Sequence, residues 1–234
     1  MKFDVGINRN KLISFPNLAN SPWADYLQIG QPLSLFNVLK YTGVDPLTGQ
    51  YTFADLNHDG VIEQSPYPQG DEYKINLAPK ADGGFGSDFS YKNLQLSVFF
   101  RFEIKKAPNG IFDGPTGGQM SNIGLNMYQN SWLKPGDVSE FGRFTTQEAL
   151  SDNYFVVSDA AYTDASFIRL QNLALTYTLG KGVAQKIGIN SCRIFIRGEN
   201  LLLITKYNGI DPETPGFGGL PPTKIITGGV QFTL

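Results

Sequence analysis

Residues 93–105 limit the possible folds more tightly than any other stretch of the chain. Leu94, Leu96, Val98, Phe100, Phe102 and Ile104 fall on one face of a period-2 strand, with Asn93, Gln95, Ser97, Arg101 and Glu103 on the other and Phe99 as the exception. This apolar face outlasts the 5–6 residues of a typical globular strand and matches the roughly 9 to 11 residues of a tilted membrane-spanning one. The alternation recurs. Leu173, Leu175, Tyr177 and Leu179 oppose Asn172, Ala174, Thr176 and Thr178; Cys192, Ile194 and Ile196 oppose Arg193, Phe195 and Arg197; Phe3, Val5 and Ile7 oppose Lys2, Asp4, Gly6 and Asn8. The second face carries long polar or charged side chains, which suits a wet lumen once such strands close into a barrel.

Residues 164–234 read as three amphipathic strands, the last carrying Val230, Phe232 and Leu234 at alternate positions up to the final residue. An ending of this kind is normal for an outer-membrane β-barrel, and these three residues are expected on its closing strand. The composition agrees: 17% of residues are charged, 13% are aromatic, and 26 glycines and 14 prolines supply turns. No run approaches the ~18 apolar residues of a membrane helix, so any bilayer is crossed by strands. A net charge of -2 without a basic block excludes nucleic acid as a partner. The start, Met1 to Val5, lacks the basic and apolar regions of a secretory signal; either the protein is cytoplasmic or its N-terminus lies upstream. The single cysteine, Cys192, has no internal disulfide partner and reads as packing or lipid-facing filler.

Connections between the strands differ in length. A tight hairpin is expected at Lys92 and a short connection over 180–190, whereas 106–163 is a long excursion. Within it, Met120, Ile123, Met127 and Tyr128 predict a short helix inside 119–132, closed by Pro135-Gly136. Long loops at one edge and short turns at the other characterise outer-membrane barrels. The fold class expected is therefore all-β: an antiparallel transmembrane β-barrel segment of about eight strands, with long extracellular loops and one short loop helix.

Asp55, Asn57 and Asp59 stand at the spacing of an EF-hand calcium loop, followed by Gly60 and Ile62. Pro66 occupies the position of the bidentate glutamate, which favours an Asx-rich turn satisfying its own backbone over a calcium site. No other cofactor is expected. His58, the only histidine, stands at a non-ligand position. Asp211 and Glu213 flank Pro212 beside Tyr207 and Phe217, and read first as carboxylates of a solvated loop. Gly83, Gly84 and Gly86 sit inside a strand pattern, where close packing or curvature explains them better than a phosphate cradle.

Several segments, in order, resemble the C-terminal part of SusC/RagA-type TonB-linked outer-membrane transporters. They are Tyr41-Thr42-Gly43-Val44-Asp45-Pro46-Leu47-Thr48-Gly49; the Asp55 to Ile62 loop; Phe89 through Phe100; Asp164 through Leu173 with Tyr177-Thr178-Leu179; and Gly198-Glu199-Asn200-Leu201 with Thr205-Lys206-Tyr207. The resemblance implies a barrel of about twenty-two strands closed by an N-terminal plug. It also implies a SusD/RagB-like surface lipoprotein as partner, energy supplied through the TonB complex, and import of oligosaccharides or peptides at the outer membrane. The whole chain, 1–234, is then one barrel portion and a fragment of a longer transporter, since these residues hold neither plug nor TonB box. The family usually ends on an aromatic residue where this chain has Leu234, and Phe232 stands two places earlier.

Two functions compete. In the first, a transporter, Arg101, Glu103, Arg193, Arg197 and Glu199 face the lumen, where they meet substrate or pair across strands. The second is a soluble extracellular β-sandwich that binds carbohydrate and carries a calcium loop; it leaves the 94–104 face unexplained. An enzyme is not expected, because no nucleophile with a base, metal cluster or cofactor fingerprint stands at usable spacing.

Overall fold

The computed structural model describes residues 1–109, 117–118, 123–186, 188–215 and 219–233. Two compact units emerge, one formed by Met1–Asn8, Pro79–Lys105 and Ala165–Leu234, the other by Arg9–Ala78 and Lys106–Asp164.

The first unit is a single six-stranded antiparallel sheet. Its strands are β1 (Lys2–Gly6), β2 (Ala81–Tyr91), β3 (Leu94–Ile104), β4 (Phe167–Thr178), β5 (Ser191–Thr205) and β6 (Ile225–Thr233), each paired with its neighbour in sequence order. Strands β2 to β5 have 11, 11, 12 and 15 residues, membrane-spanning lengths. Of the eight or so strands expected, these six share one sheet; the remaining strand segments pair in the second unit as three two-stranded ribbons.

Register assembles the separate alternations into continuous faces. Phe100 lies opposite both Phe85 and Leu170, and Leu96 opposite both Phe89 and Leu175. Between Leu170 and Asn172 the ladder shifts by one residue, with Gln171 as the extra residue on β4. This bulge keeps the apolar face unbroken: Ile168 and Leu170 before it join Leu173, Leu175 and Tyr177 after it, where strict alternation would have brought Asn172 and Ala174 onto that face. Beside it on β5, Asn200 takes a left-handed φ of 53°, which asparagine tolerates better than most residues, and its amide donates to the Thr223 carbonyl at 3.1 Å. The Gly-Glu-Asn-Leu segment is thus the bulge of a strand.

Connections follow the expected asymmetry. At one end, Lys92 and Asn93 join β2 to β3, and 179–190 joins β4 to β5 through a one-turn helix, Lys181–Lys186, that the periodicity did not predict. The remaining connections are long, 9–78 before β2, 106–164 between β3 and β4 and 206–224 between β5 and β6, and the first two build the second unit.

In the second unit, Leu35–Leu39 pairs with Glu72–Asn76, Tyr41–Val44 with Tyr51–Phe53, and Lys106–Pro108 with Tyr162–Asp164. Its core is aromatic: Tyr51 stacks on Phe155 at 4.1 Å, and Tyr41 meets the same ring edge-on at 5.5 Å. Burial raises the pKa of the Tyr41 and Tyr73 phenols, and Tyr73 is raised further because its hydroxyl donates to Asp159 Oδ2 at 2.7 Å. The Asp45-to-Gly49 motif closes the Tyr41–Val44 hairpin. Asp45 accepts from the Leu47 N–H and the Thr48 hydroxyl, which holds its carboxyl below the usual range, first through the hydroxyl bond. Gly49, at φ 71°, leaves room for the Trp132 ring. The helix expected inside 119–132 is seen at Leu125–Gln129 with Met127 buried; Met120 lies outside the described residues.

Candidate functional site

Register divides the sheet into chemically opposite faces. One carries Phe3, Phe85, Phe89, Ile168, Ile194, Ile196, Ile204, Ile226, Val230 and Phe232, all exposed, with Phe232 at 61% and Ile226 at 75%. Val230 and Phe232 lie on this face of β6 as the alternation requires, whereas Leu234 is outside the described residues. The opposite face carries Asp82, Asp88, Gln95, Ser97, Arg101, Glu103, Arg169, Asn172, Thr176, Arg193, Arg197 and Glu199. Phe99, the exception in β3, belongs to this polar face and lies over Gly84 and Gly86, where any Cβ would come within 3 Å of the ring. Phe195 covers Gly229 in the same way, so both aromatics fill space that the glycines leave open.

At the long-loop end of the polar face the charges converge. Arg169 is buried at 4% exposure, and its Nη2 donates to Asp211 Oδ1 and Oδ2 at 2.8 and 2.7 Å. Its Nε lies 2.6 Å from Glu213 Oε2, close enough for an ion pair although not aligned for a hydrogen bond. Glu213 also accepts from Arg101 Nη1 at 2.6 Å, while Glu103 lies 3.7 Å from Arg101 and 3.4 Å from Lys105. Three cations therefore face three carboxylates. Burial of charges such as Arg169 and Asp211 costs several kcal/mol each unless they are paired, which this arrangement achieves.

The two loop carboxylates are the main correction to the sequence reading. Asp211 and Glu213 do not belong to a solvated loop: Asp211 is 4% exposed and both are bound to strand arginines. Asp211-Pro212-Glu213-Thr214 is a tight turn, with the Thr214 N–H donating to the Asp211 carbonyl at 3.1 Å and the Glu213 N–H to Asp211 Oδ1 at 2.9 Å. An arginine between Phe167 and Leu170 on a strand, with no acidic neighbour in sequence, was the available hint that a distant carboxylate is needed.

Of the residues expected in the lumen, Arg101 and Glu103 join this network. Arg193, Arg197 and Glu199 share the face but no ion pair among the described residues; Arg197 instead lies 4.8 Å from the centre of the Phe195 ring. Arg193 and Arg197 lie in the short-turn half of β5, and Glu199 stands at mid-strand opposite Asn172.

The Asp55 loop, in the second unit, turns its oxygens onto its own backbone. Asp55 accepts from the N–H of His58 at 2.6 Å and of Gly60 at 2.9 Å; Asn57 accepts from Asp59, and Asp59 from Val61. A residue with no motif signal completes it: Asp71, fully buried, accepts from Leu56, Asn57 and Glu63. We expect calorimetric titration of calcium up to millimolar concentration to give no saturable heat, whereas a stoichiometric isotherm would establish the metal reading.

A single sheet whose four central strands have membrane length, apolar on one face and polar on the other, is the wall of an antiparallel β-barrel. No family model matches the chain. TonB-dependent receptor P3 of Formosa agariphila is 26% identical over 239 residues, taking in 90% of this chain and 23% of that receptor. TonB-dependent receptor SusC of Bacteroides thetaiotaomicron is 29% identical over 191 residues, 75% of this chain and 16% of SusC. The structure of the RagAB peptide importer in its open-open state matches with a TM-score of 0.76 at 25% identity, covering 99% of this chain and 26% of that one. A further RagAB peptide transporter structure matches at 0.68 and 28%, covering 88% and 23%. The homologues of this chain are therefore TonB-dependent receptors, SusC among them, and it has the fold of the barrel in the RagAB structures. It spans about a quarter or less of the length of these relatives.

Proposed function

We propose that this chain forms part of the wall of an outer-membrane TonB-dependent transporter that imports oligosaccharides or peptides with a SusD/RagB-like surface lipoprotein. The observation that carries the reading is the apolar face, whose aliphatic and aromatic side chains stand exposed or half-exposed across all six strands. Exposed to water, a face of this extent would be an aggregation surface; against lipid tails it is satisfied. A soluble sandwich buries such a face against a second sheet, and here its residues are exposed or half-exposed. On this reading the polar face, with Arg101, Glu103, Arg193, Arg197 and Glu199, lines the lumen, and the long excursions are extracellular.

Brominated-lipid quenching tests it. In the full-length protein reconstituted in vesicles, tryptophan placed at Leu96 is expected to lose most of its added fluorescence, and tryptophan at the adjacent Gln95 to keep it. Equal quenching at the two positions would overturn the wall assignment. The partner reading is tested separately by asking whether the purified receptor holds a surface lipoprotein in stoichiometric amount.

A further inference from the structure

We infer that residues 206–215 form a strap locked across the polar face, and that its two carboxylates mask a cationic patch on the sheet. Strands β3 and β4, with the residue that follows β3, contribute Arg101, Lys105 and Arg169 against the single carboxylate of Glu103. The strap brings Asp211 and Glu213, and the site becomes neutral. Several features hold the strap in a folded form. Pro212 is fully buried; the Tyr207 N–H donates to Thr205 Oγ1 at 3.0 Å, and its hydroxyl donates to the Pro215 carbonyl at 3.2 Å. Thr205 in turn donates to the Ser166 carbonyl at 2.8 Å, tying the root of the strap to the start of β4. Arg169 is the hub, since it alone meets both strap carboxylates.

Removing one partner of a buried pair strands the other, whereas the isosteric amides remove charge and keep shape. The two ways of opening the lock therefore leave opposite charge. With Asp211→Asn and Glu213→Gln together, three cations remain with one carboxylate. With Arg169→Met, two cations face three carboxylates. The place of the strap in a transport route rests on the lumen assignment proposed above; the lock itself does not.

The test uses full-length receptor in detergent, with other cysteines including Cys192 replaced and Thr214→Cys introduced at a position whose hydroxyl is buried. Its modification is followed with a sulfonate-bearing and a trimethylammonium-bearing methanethiosulfonate. Both lock variants are expected to react at least about tenfold faster than the parent, the rate ratio moving several-fold toward the sulfonate in the amide pair and toward the ammonium in Arg169→Met. Parental rates in the amide pair, which retains side-chain shape, would overturn the lock. Faster reaction with the same ratio in both variants would overturn the charge masking. Failure of the wall reading shows in the quenching experiment instead, and leaves these rates unaffected.

Discussion

Val98→Arg in the full-length protein is expected to lower barrel stability by about 2–4 kcal/mol, while Ser97→Arg, one residue away, changes it by less than about 1 kcal/mol. Val98 lies near the middle of β3 on the apolar face, opposite Ser87 and Leu173. An arginine there must be dragged through hydrocarbon or snorkel past its neighbours, and near mid-strand it has farthest to reach. Ser97 faces the other way, opposite Asp88 and Ala174, where a guanidinium meets water and a carboxylate. Urea unfolding from phospholipid vesicles measures both. Comparable losses at the two positions would mean that the two faces see similar surroundings, and the membrane reading would fail.

That contrast was legible in the sequence because period-2 alternation is a local property. Leu94 to Ile104 declared its faces without knowledge of any neighbour, and Phe99 stood out as the exception. How the faces join was not legible. The β4 alternation read from Asn172 onward says nothing about Ile168 and Leu170, because Gln171 breaks the period between them; only pairing with β3 shows that the apolar set continues across the bulge. The role of Phe99 likewise needed the neighbouring strand, where Gly84 and Gly86 leave the space it fills.

The charge network shows the same limit at longer range. Arg101 and Glu103 were identifiable as polar-face residues that can pair with each other, but the further partner of Arg101, Glu213, comes from a turn beyond β5, where it also meets Arg169 of β4. Asp211 and Glu213 sit among proline and glycine, a composition that ordinarily signals a solvated loop, and burial overrode it once a strand arginine required them. Short-range chemistry is more visible: the Asx spacing of the Asp55 loop stands in the sequence, and its side-chain oxygens accept N–H groups within the loop. What the spacing did not reveal was the residue on which the loop closes.

That residue is Asp71, and Asp71→Ala is expected to destabilise the 55–71 loop by about 3–5 kcal/mol. Its Oδ1 accepts from Leu56 at 2.6 Å and from Asn57 at 3.3 Å, and its Oδ2 from Glu63 at 2.9 Å. Alanine would leave these N–H groups without their acceptor at a fully buried position, and each orphaned donor costs about 1–3 kcal/mol. Asp71→Asn is expected to fall between alanine and the parent, because one oxygen survives while the amide presents its own N–H toward a donor that needs an acceptor. Hydrogen exchange at Leu56, Asn57 and Glu63 reads the effect directly: protection should collapse in the alanine variant and fall partly in the asparagine one. Excess calcium should restore none of it, since the stabilising acceptor is a carboxylate turned toward backbone N–H groups. Recovery of protection on adding calcium would instead make Asp71 part of an ion site, and unchanged protection in Asp71→Ala would show that the loop closes without it.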